Sequence, residues 1–336
     1  MSLYTAETRR LTKRRFTRFL VLGSLLVLLA VAVGTAFTNE KVGPAQVAAA
    51  EAEARASYEE SVRIAEQDRQ RCQAAQGTPE AANYPPGCEG LYTPQPEEFQ
   101  AQWYMPSTFV FKDNFPDMIT TYAAILALAA FVIGASYVGA EWSSGGMMNL
   151  LLWRPQRLKV LGAKLGALLA ALAALSVAVA IVWTLAFVLI AELRGSMDGM
   201  TSGAWQSIAL TELRALGLIL AAAALGFGLA SLGRNTALAL GATIGAVVVF
   251  QFGLVTVLSL AQVPFAEAWL LPVWGIAWMQ KEIKLENFNA CEFSSVSGCQ
   301  PDTLTLTWPM AGGLMALAVV LIVGAAMWTM RSRDIT

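Results

Sequence analysis

The sequence predicts an all-α integral membrane protein with six transmembrane helices, and three observations carry that prediction. Of its 336 residues, 56% are hydrophobic and 14% charged, with a mean hydropathy of +0.53, a balance foreign to soluble domains of this length. Six apolar runs reach the roughly 20 residues that a helix needs to cross a ~30 Å hydrocarbon core. Charge is segregated: the tail before the first run carries Arg9, Arg10, Lys13, Arg14, Arg15 and Arg18 against a single Glu7, whereas residues 38–118 hold thirteen acids and six bases.

Residues 1–18 interleave Leu3, Tyr4, Leu11 and Phe16 with the cations, which predicts a cytoplasmic amphipathic helix lying along anionic headgroups, with a merely topogenic basic tail as the alternative. A basic segment, an apolar run and "VGTA" also fit a signal peptide loosely, but the run is long for an h-region and the tail has helical spacing. The first span is expected over Phe19–Phe37. The others are expected over Ile119–Ala140, Leu161–Ile190, Ile208–Leu232, Ala237–Leu260 and Trp308–Met330, each nearly free of charge at its centre. The third is long enough to tilt or to project from the bilayer.

Orientation follows from the cations. The basic tail belongs in the cytoplasm, and six spans return the C-terminal residues 331–336 to the same side. The expected location is the cell membrane, with both termini cytoplasmic and the large loops extracytoplasmic. Residues 38–118 form an extracytoplasmic domain: "GPAQVAAAEAEARASYEESVRIAEQDRQRCQAAQ" has no Gly or Pro after Pro44 and predicts a long helix. The Pro- and Gly-punctuated "GTPEAANYPPGCEGLYTPQPEEF" predicts irregular chain.

All four cysteines fall on this outer side, Cys72 and Cys88 in the first loop and Cys291 and Cys299 in the last. That fits an oxidising compartment. Three connectivities are open, and the local pairs Cys72 with Cys88 and Cys291 with Cys299 are favoured because each closes a short loop. The first part of residues 261–307 contains "PFAEAWLLPVWGIAWMQKEIK", apolar and Trp-rich but broken by Pro272 and Gly275. The segment is too short and interrupted to cross, and a re-entrant helical hairpin is expected, with an outer-leaflet aromatic belt as the plainer alternative.

Residues 141–160 connect the second and third spans. Here Met147, Leu150, Leu151 and Leu158 fall on one side of a short amphipathic helix, with Trp153, Arg154 and Arg157 near its exit and Pro155 to end or kink it. Such an element can dock its apolar anchors into a groove on another protein or rest on lipid. The order Glu141, Gly145, Gly146, Leu151, Pro155, Arg157 and Lys164 after the second span resembles the permease subunits of the ABC-2 transporter family, as does the ending "WTMRSRDIT". The resemblance implies a half-transporter whose residues 141–160 form a cytoplasmic coupling helix for a separate ATPase subunit. It also implies the N-terminal elbow helix and a re-entrant segment before the last span. The first outer loop departs from that family by its size.

The coupling candidates are therefore Glu141, Gly145, Gly146, Met147, Leu150, Leu151, Trp153, Arg154, Pro155 and Arg157. The chain has no G-x-x-x-x-G-K-[ST] loop, so no cofactor is expected on it, and ATP with Mg²⁺ belongs to the partner. Expected partners are that ABC ATPase subunit, a second permease copy or related permease, and membrane lipids; nucleic acid is not expected. The absence of histidine removes the commonest zinc ligand and the usual general base, and the chain is not expected to be an enzyme.

Ion-coupled secondary transport asks for Asp, Glu or His near mid-bilayer. Only Glu212 and Arg214, at the outer start of the fourth span, approach that, and with Gln251 they are the candidate pathway residues. The apolar lining favours a hydrophobic or amphipathic substrate such as a peptide, drug or lipid, and the resemblance implies its export. The alternative is a membrane-anchored sensor or accessory protein with an extracytoplasmic ligand-binding domain. Gly162 with Gly166, Gly241 with Gly245, and Gly226, Gly228 and Gly233 are expected to allow close helix approach.

Overall fold

A computed structural model describes residues 3–153, 156–294 and 298–332, with backbone alone at 3, 151, 153, 288–294 and 298–300. It is mostly helical, and six helices are long and apolar enough to cross a membrane. Two compact units emerge.

The first unit comprises residues 1–32, 112–187 and 199–336. Helix α1, Leu3–Lys13, is separated at Arg14 from α2, Arg15–Thr38. The remaining spans are α4, Phe111–Ser143; α6, Arg157–Arg194; α7, Ser202–Gly233; residues 236–260; and α11, Trp308–Ser332. Helix α3, Pro44–Ala75, belongs to the second unit, and α5, Gly146–Trp153, lies between α4 and α6. At 38 residues, α6 is about 57 Å long at 1.5 Å per residue, well beyond the ~30 Å core. The fifth span is not uniform: α8, Thr236–Ala246, passes through a π-helical stretch, Val247–Leu254, into α9, Val255–Leu260.

Helices α4 and α6 pack through an aromatic row. Phe115 meets Phe187 at 5.7 Å, Trp183 meets Phe187 at 4.7 Å, and the Tyr122 hydroxyl donates to the Ser176 carbonyl at 2.8 Å. Helices α4 and α7 cross where glycine removes the side chain. A Cβ on Gly226 would lie 2.1 Å from the Phe131 carbonyl oxygen, and one on Gly134 would lie 2.3 Å from that of Ala223. Such approach lets dispersion hold apolar helices together in lipid. The expectation of close packing does not extend to Gly162, Gly166, Gly241 and Gly245, each of which looks into open space within the chain.

The segment before the last span is not wholly helical, which corrects the all-α expectation. Helix α10, Leu271–Gln280, is followed by an antiparallel hairpin of β3, Glu282–Ser294, and β4, Gly298–Thr307. Alternation explains it. Ile283 opposes Leu306 and Leu285 opposes Leu304, and these period-two apolar positions pack on Val273, Ala277 and Ala311.

The second unit comprises residues 33–111 and 188–198. Its long helix α3 is tied by a disulfide from Cys72 to Cys88, 16 positions on, and Tyr58 of α3 meets Phe99 edge-on at 5.6 Å. Short 3₁₀ turns at Pro79–Asn83, Pro86–Cys88, Pro96–Glu98 and Ala101–Trp103 occupy the stretch where proline precludes longer helix. Two-residue strands β1, Phe109–Val110, and β2, Gly195–Ser196, pair in parallel. The pairing of Cys291 with Cys299 concerns side chains outside the described residues.

Candidate functional site

Lysine at position 164 is among the largest fully buried side chains, 0% exposed about two turns into α6. A buried ammonium is costly unless paired, and its partners come from two other helices. Its Nζ lies 2.7 Å from Glu7 Oε2, on α1, and 2.7 Å from Glu141 Oε2, near the end of α4. Glu7 is 1% exposed and Glu141 21%. The Tyr137 hydroxyl donates to the same Glu7 oxygen at 2.7 Å, and Lys164 Nζ stands 5.2 Å from the Tyr137 ring centroid. Arg10, largely exposed, lies 3.5 Å from Glu7 Oε1. Two carboxylates thus face two cations, one of them buried, in a charge-balanced cluster.

Arg14 closes the same junction. Sitting at the break between α1 and α2, it donates to the Ser136 carbonyl at 3.1 Å, with its guanidinium carbon 5.9 Å from the Tyr137 ring. Arg9, Arg10, Lys13, Arg14 and Glu141 line an open basin of about 760 Å³ beside Ala140 and Ser144. Helix α5 begins immediately beyond. Gly145 turns the chain with φ +73°, a conformation that suits glycine, and Gly146 opens the helix.

Of the apolar anchors, Met147 is buried, Leu150 half-buried and Leu158 exposed. The side chains of Leu151 and Trp153, and Arg154 and Pro155 altogether, lie outside the described residues. Arg157 is the first residue of α6. The structure therefore brings Glu141 and Lys164 into contact across α5, and adds Glu7 and Tyr137, which sequence reasoning passed over. The signal for Glu7 was its position four residues before the apolar Leu11, on the inward stripe of an amphipathic helix.

The candidate pathway residues sit elsewhere. The Thr184 hydroxyl donates to Glu212 at 2.5 Å. Arg214 places its guanidinium 5.5 Å from the Trp308 ring centroid while its carbonyl accepts from Trp278 Nε1 at 2.9 Å. Glu212 and Arg214 form no ion pair among the described residues, because positions two apart on a helix do not face each other. Gln251 lies in the π-helical stretch, where its Oε1 accepts from the Leu271 amide at 2.6 Å and its Nε2 donates to the Trp269 carbonyl at 3.4 Å. It fastens the start of α10 to the fifth span. Among the described residues no group of three or more His, Cys, Asp or Glu is placed to hold a metal ion.

The profile of the ABC-2 family transporter protein matches residues 1–331, nearly the whole chain. No curated protein and no solved structure matches it. Six apolar spans and a family match over almost every residue lead to one conclusion: the chain belongs to the ABC-2 family of transporters, as a membrane permease without an ATPase domain of its own.

Proposed function

We propose that this chain is the permease subunit of an ATP-driven exporter, and that the Lys164 cluster passes movement from a separate ATPase subunit into the spans. The observation that carries the proposal is the pairing of Lys164 with both Glu7 and Glu141. Helix α5 is bracketed by Glu141 on one side and Lys164 on the other, so the cluster clamps both ends of the connection and ties them to α1. Displacing α5 must then displace α1, α4 and α6 together, because separating any of them strands a buried charge.

By the positive-inside rule the basic α1 faces the cytoplasm. In this reading α1 is an interfacial elbow helix and α5 the coupling helix, while residues 38–118 and 261–307 lie outside. Arg9, Arg10, Lys13 and Arg14 make the basin beside α5 electrostatically suited to an acidic edge of the ATPase. ATP is bound with Mg²⁺ and hydrolysed on that subunit. The first and fifth spans are each 6% buried over their most apolar windows, which leaves surface for a second permease copy or a related one. The apolar spans suit a hydrophobic or amphipathic cargo.

Co-purification tests the coupling role. The ATPase is expected to come down with the full chain, and charge reversal at Arg154 and Arg157, or deletion of Met147–Trp153, is expected to weaken that complex. Survival of the complex through both changes overturns the assignment. Labelling of single engineered thiols within 141–164 in whole cells tests the threading, and reaction from outside overturns it.

A further inference from the structure

A crevice of about 390 Å³ opens between the α1–α2 junction and helices α4 and α6. Its walls include Leu11, Val21, Leu22, Ile133, Leu172 and Leu175, and its mouth carries Thr12 and Arg18. Deeper in, it closes to a slot of about 10 Å³ that shares Val21, Ile133, Leu172 and Leu175 with it, room for about one water-sized group. The open lining runs along α2 from Thr17 to Leu22, about 7.5 Å at 1.5 Å per residue, which is about half of one leaflet of a ~30 Å hydrocarbon core.

Two polar features sit at one end of this apolar track. Thr17 lines the crevice and is 8% exposed, and its Oγ1 is buried without a hydrogen-bond partner in the protein. A buried hydroxyl left unpaired is unfavourable, and the usual remedy for a helical threonine, bonding back to the carbonyl four residues earlier, is not taken here. Arg18 is exposed and donates through Nε to the Thr12 carbonyl at 2.8 Å, leaving four of its five N–H groups and its whole charge for an anion. Arg14 and Arg15 flank the same turn.

We infer that the crevice holds one acyl chain of a resident anionic glycerophospholipid, whose phosphate meets Arg18 and whose ester or phosphate oxygen accepts from the Thr17 hydroxyl. The first span buries only Thr17, Leu28 and Ala32, so a chain threaded beneath it supplies packing that the protein does not. A lipid fits all three observations: an open apolar crevice, a hydroxyl lacking an acceptor, and a cation at the mouth. The inference is independent of the coupling role of α5.

The test is the full chain, purified and placed in nanodiscs of phosphatidylcholine containing a trace of spin-labelled phosphatidylglycerol or spin-labelled phosphatidylcholine. The expected result is a motionally restricted component for phosphatidylglycerol, with a preference over phosphatidylcholine that falls about five-fold in Arg18→Gln, the loss of one cation near a lipid phosphate, and is retained in Arg18→Lys. Ala171→Phe, which fills the crevice, is expected to remove the component. Arg18 is on the surface, so R18Q reads the site even if A171F folds poorly. An unchanged component in both R18Q and A171F overturns the inference. Release of the restricted lipid on adding ATP to the complete transporter also overturns it, since the crevice would then hold cargo.

Discussion

Lys164 Nζ and Glu7 Oε2, 157 positions apart in the chain, meet at 2.7 Å with 0% and 1% of their side chains exposed. Removing one partner strands the other in a region that water does not reach. Lys164→Met is therefore expected to lower stability by about 3–5 kcal/mol, far more than the same change at exposed Lys159. Thermal unfolding of the two variants in one detergent checks this, and equal losses would mean that the pair is not closed. Adding Glu7→Gln to K164M is expected to cost less than the sum of the single changes.

Glu141 stands in the same cluster but is 21% exposed, so water substitutes for part of its pairing. Glu141→Gln is expected to destabilise less than Glu7→Gln. Tyr137→Phe removes one hydrogen bond to Glu7 and is expected to cost about 1–3 kcal/mol, the range for a buried bond to a charged group. The measurement is again the melting temperature, and a ranking with Glu141 above Glu7 would place the burial in the wrong helix.

Gly226 is expected to resist substitution. Even Gly226→Ala would press a methyl to 2.1 Å from the Phe131 carbonyl oxygen, which is backbone and cannot swing aside, so α4 and α7 must part. Gly241→Ala enters open space and is expected to leave the melting temperature of the chain alone unchanged. Comparing yields of folded chain by size exclusion distinguishes the two sites.

Cys72→Ser opens the loop to Cys88, whose 16-residue separation corresponds to about 3 kcal/mol of closure entropy. The loss is expected to stay within residues 33–111. Limited proteolysis should show faster cleavage around 76–100 with the spans intact. Uniform fragility of the whole chain would contradict that locality.

Gln251→Leu replaces the amide with an apolar group of similar size and so removes both bonds to the backbone at Trp269 and Leu271. Faster hydrogen exchange of the Leu271 amide is expected, with the amides of α7 unaffected. No change at Leu271 would show that α10 is held by its apolar contacts alone.

Local pattern carried a large part of this protein. Twenty-residue apolar runs announce candidate spans, and the order Glu141 to Lys164 between two of them resembles the family whose profile the chain matches. Of the three connectivities that the four cysteines left open, the structure forms the favoured short loop from Cys72 to Cys88. The β-hairpin was also legible in the alternation of Ile283 and Leu285 and of Leu304 and Leu306, but the Trp-rich run ahead of it drew the reading toward helix.

Composition and spacing are properties of neighbours along the chain, and they determined that six stretches are apolar enough to cross, roughly where each lies and which family they resemble. They are silent about which faces meet after several turns of helix. Gly162 and Gly226 look alike as letters, yet one faces open space and the other a carbonyl oxygen. Only the packed structure put Glu7, from a tail that reads as plainly basic, against Lys164. The reason is energetic: an ammonium moved out of water must find its counter-charge wherever the fold can supply one.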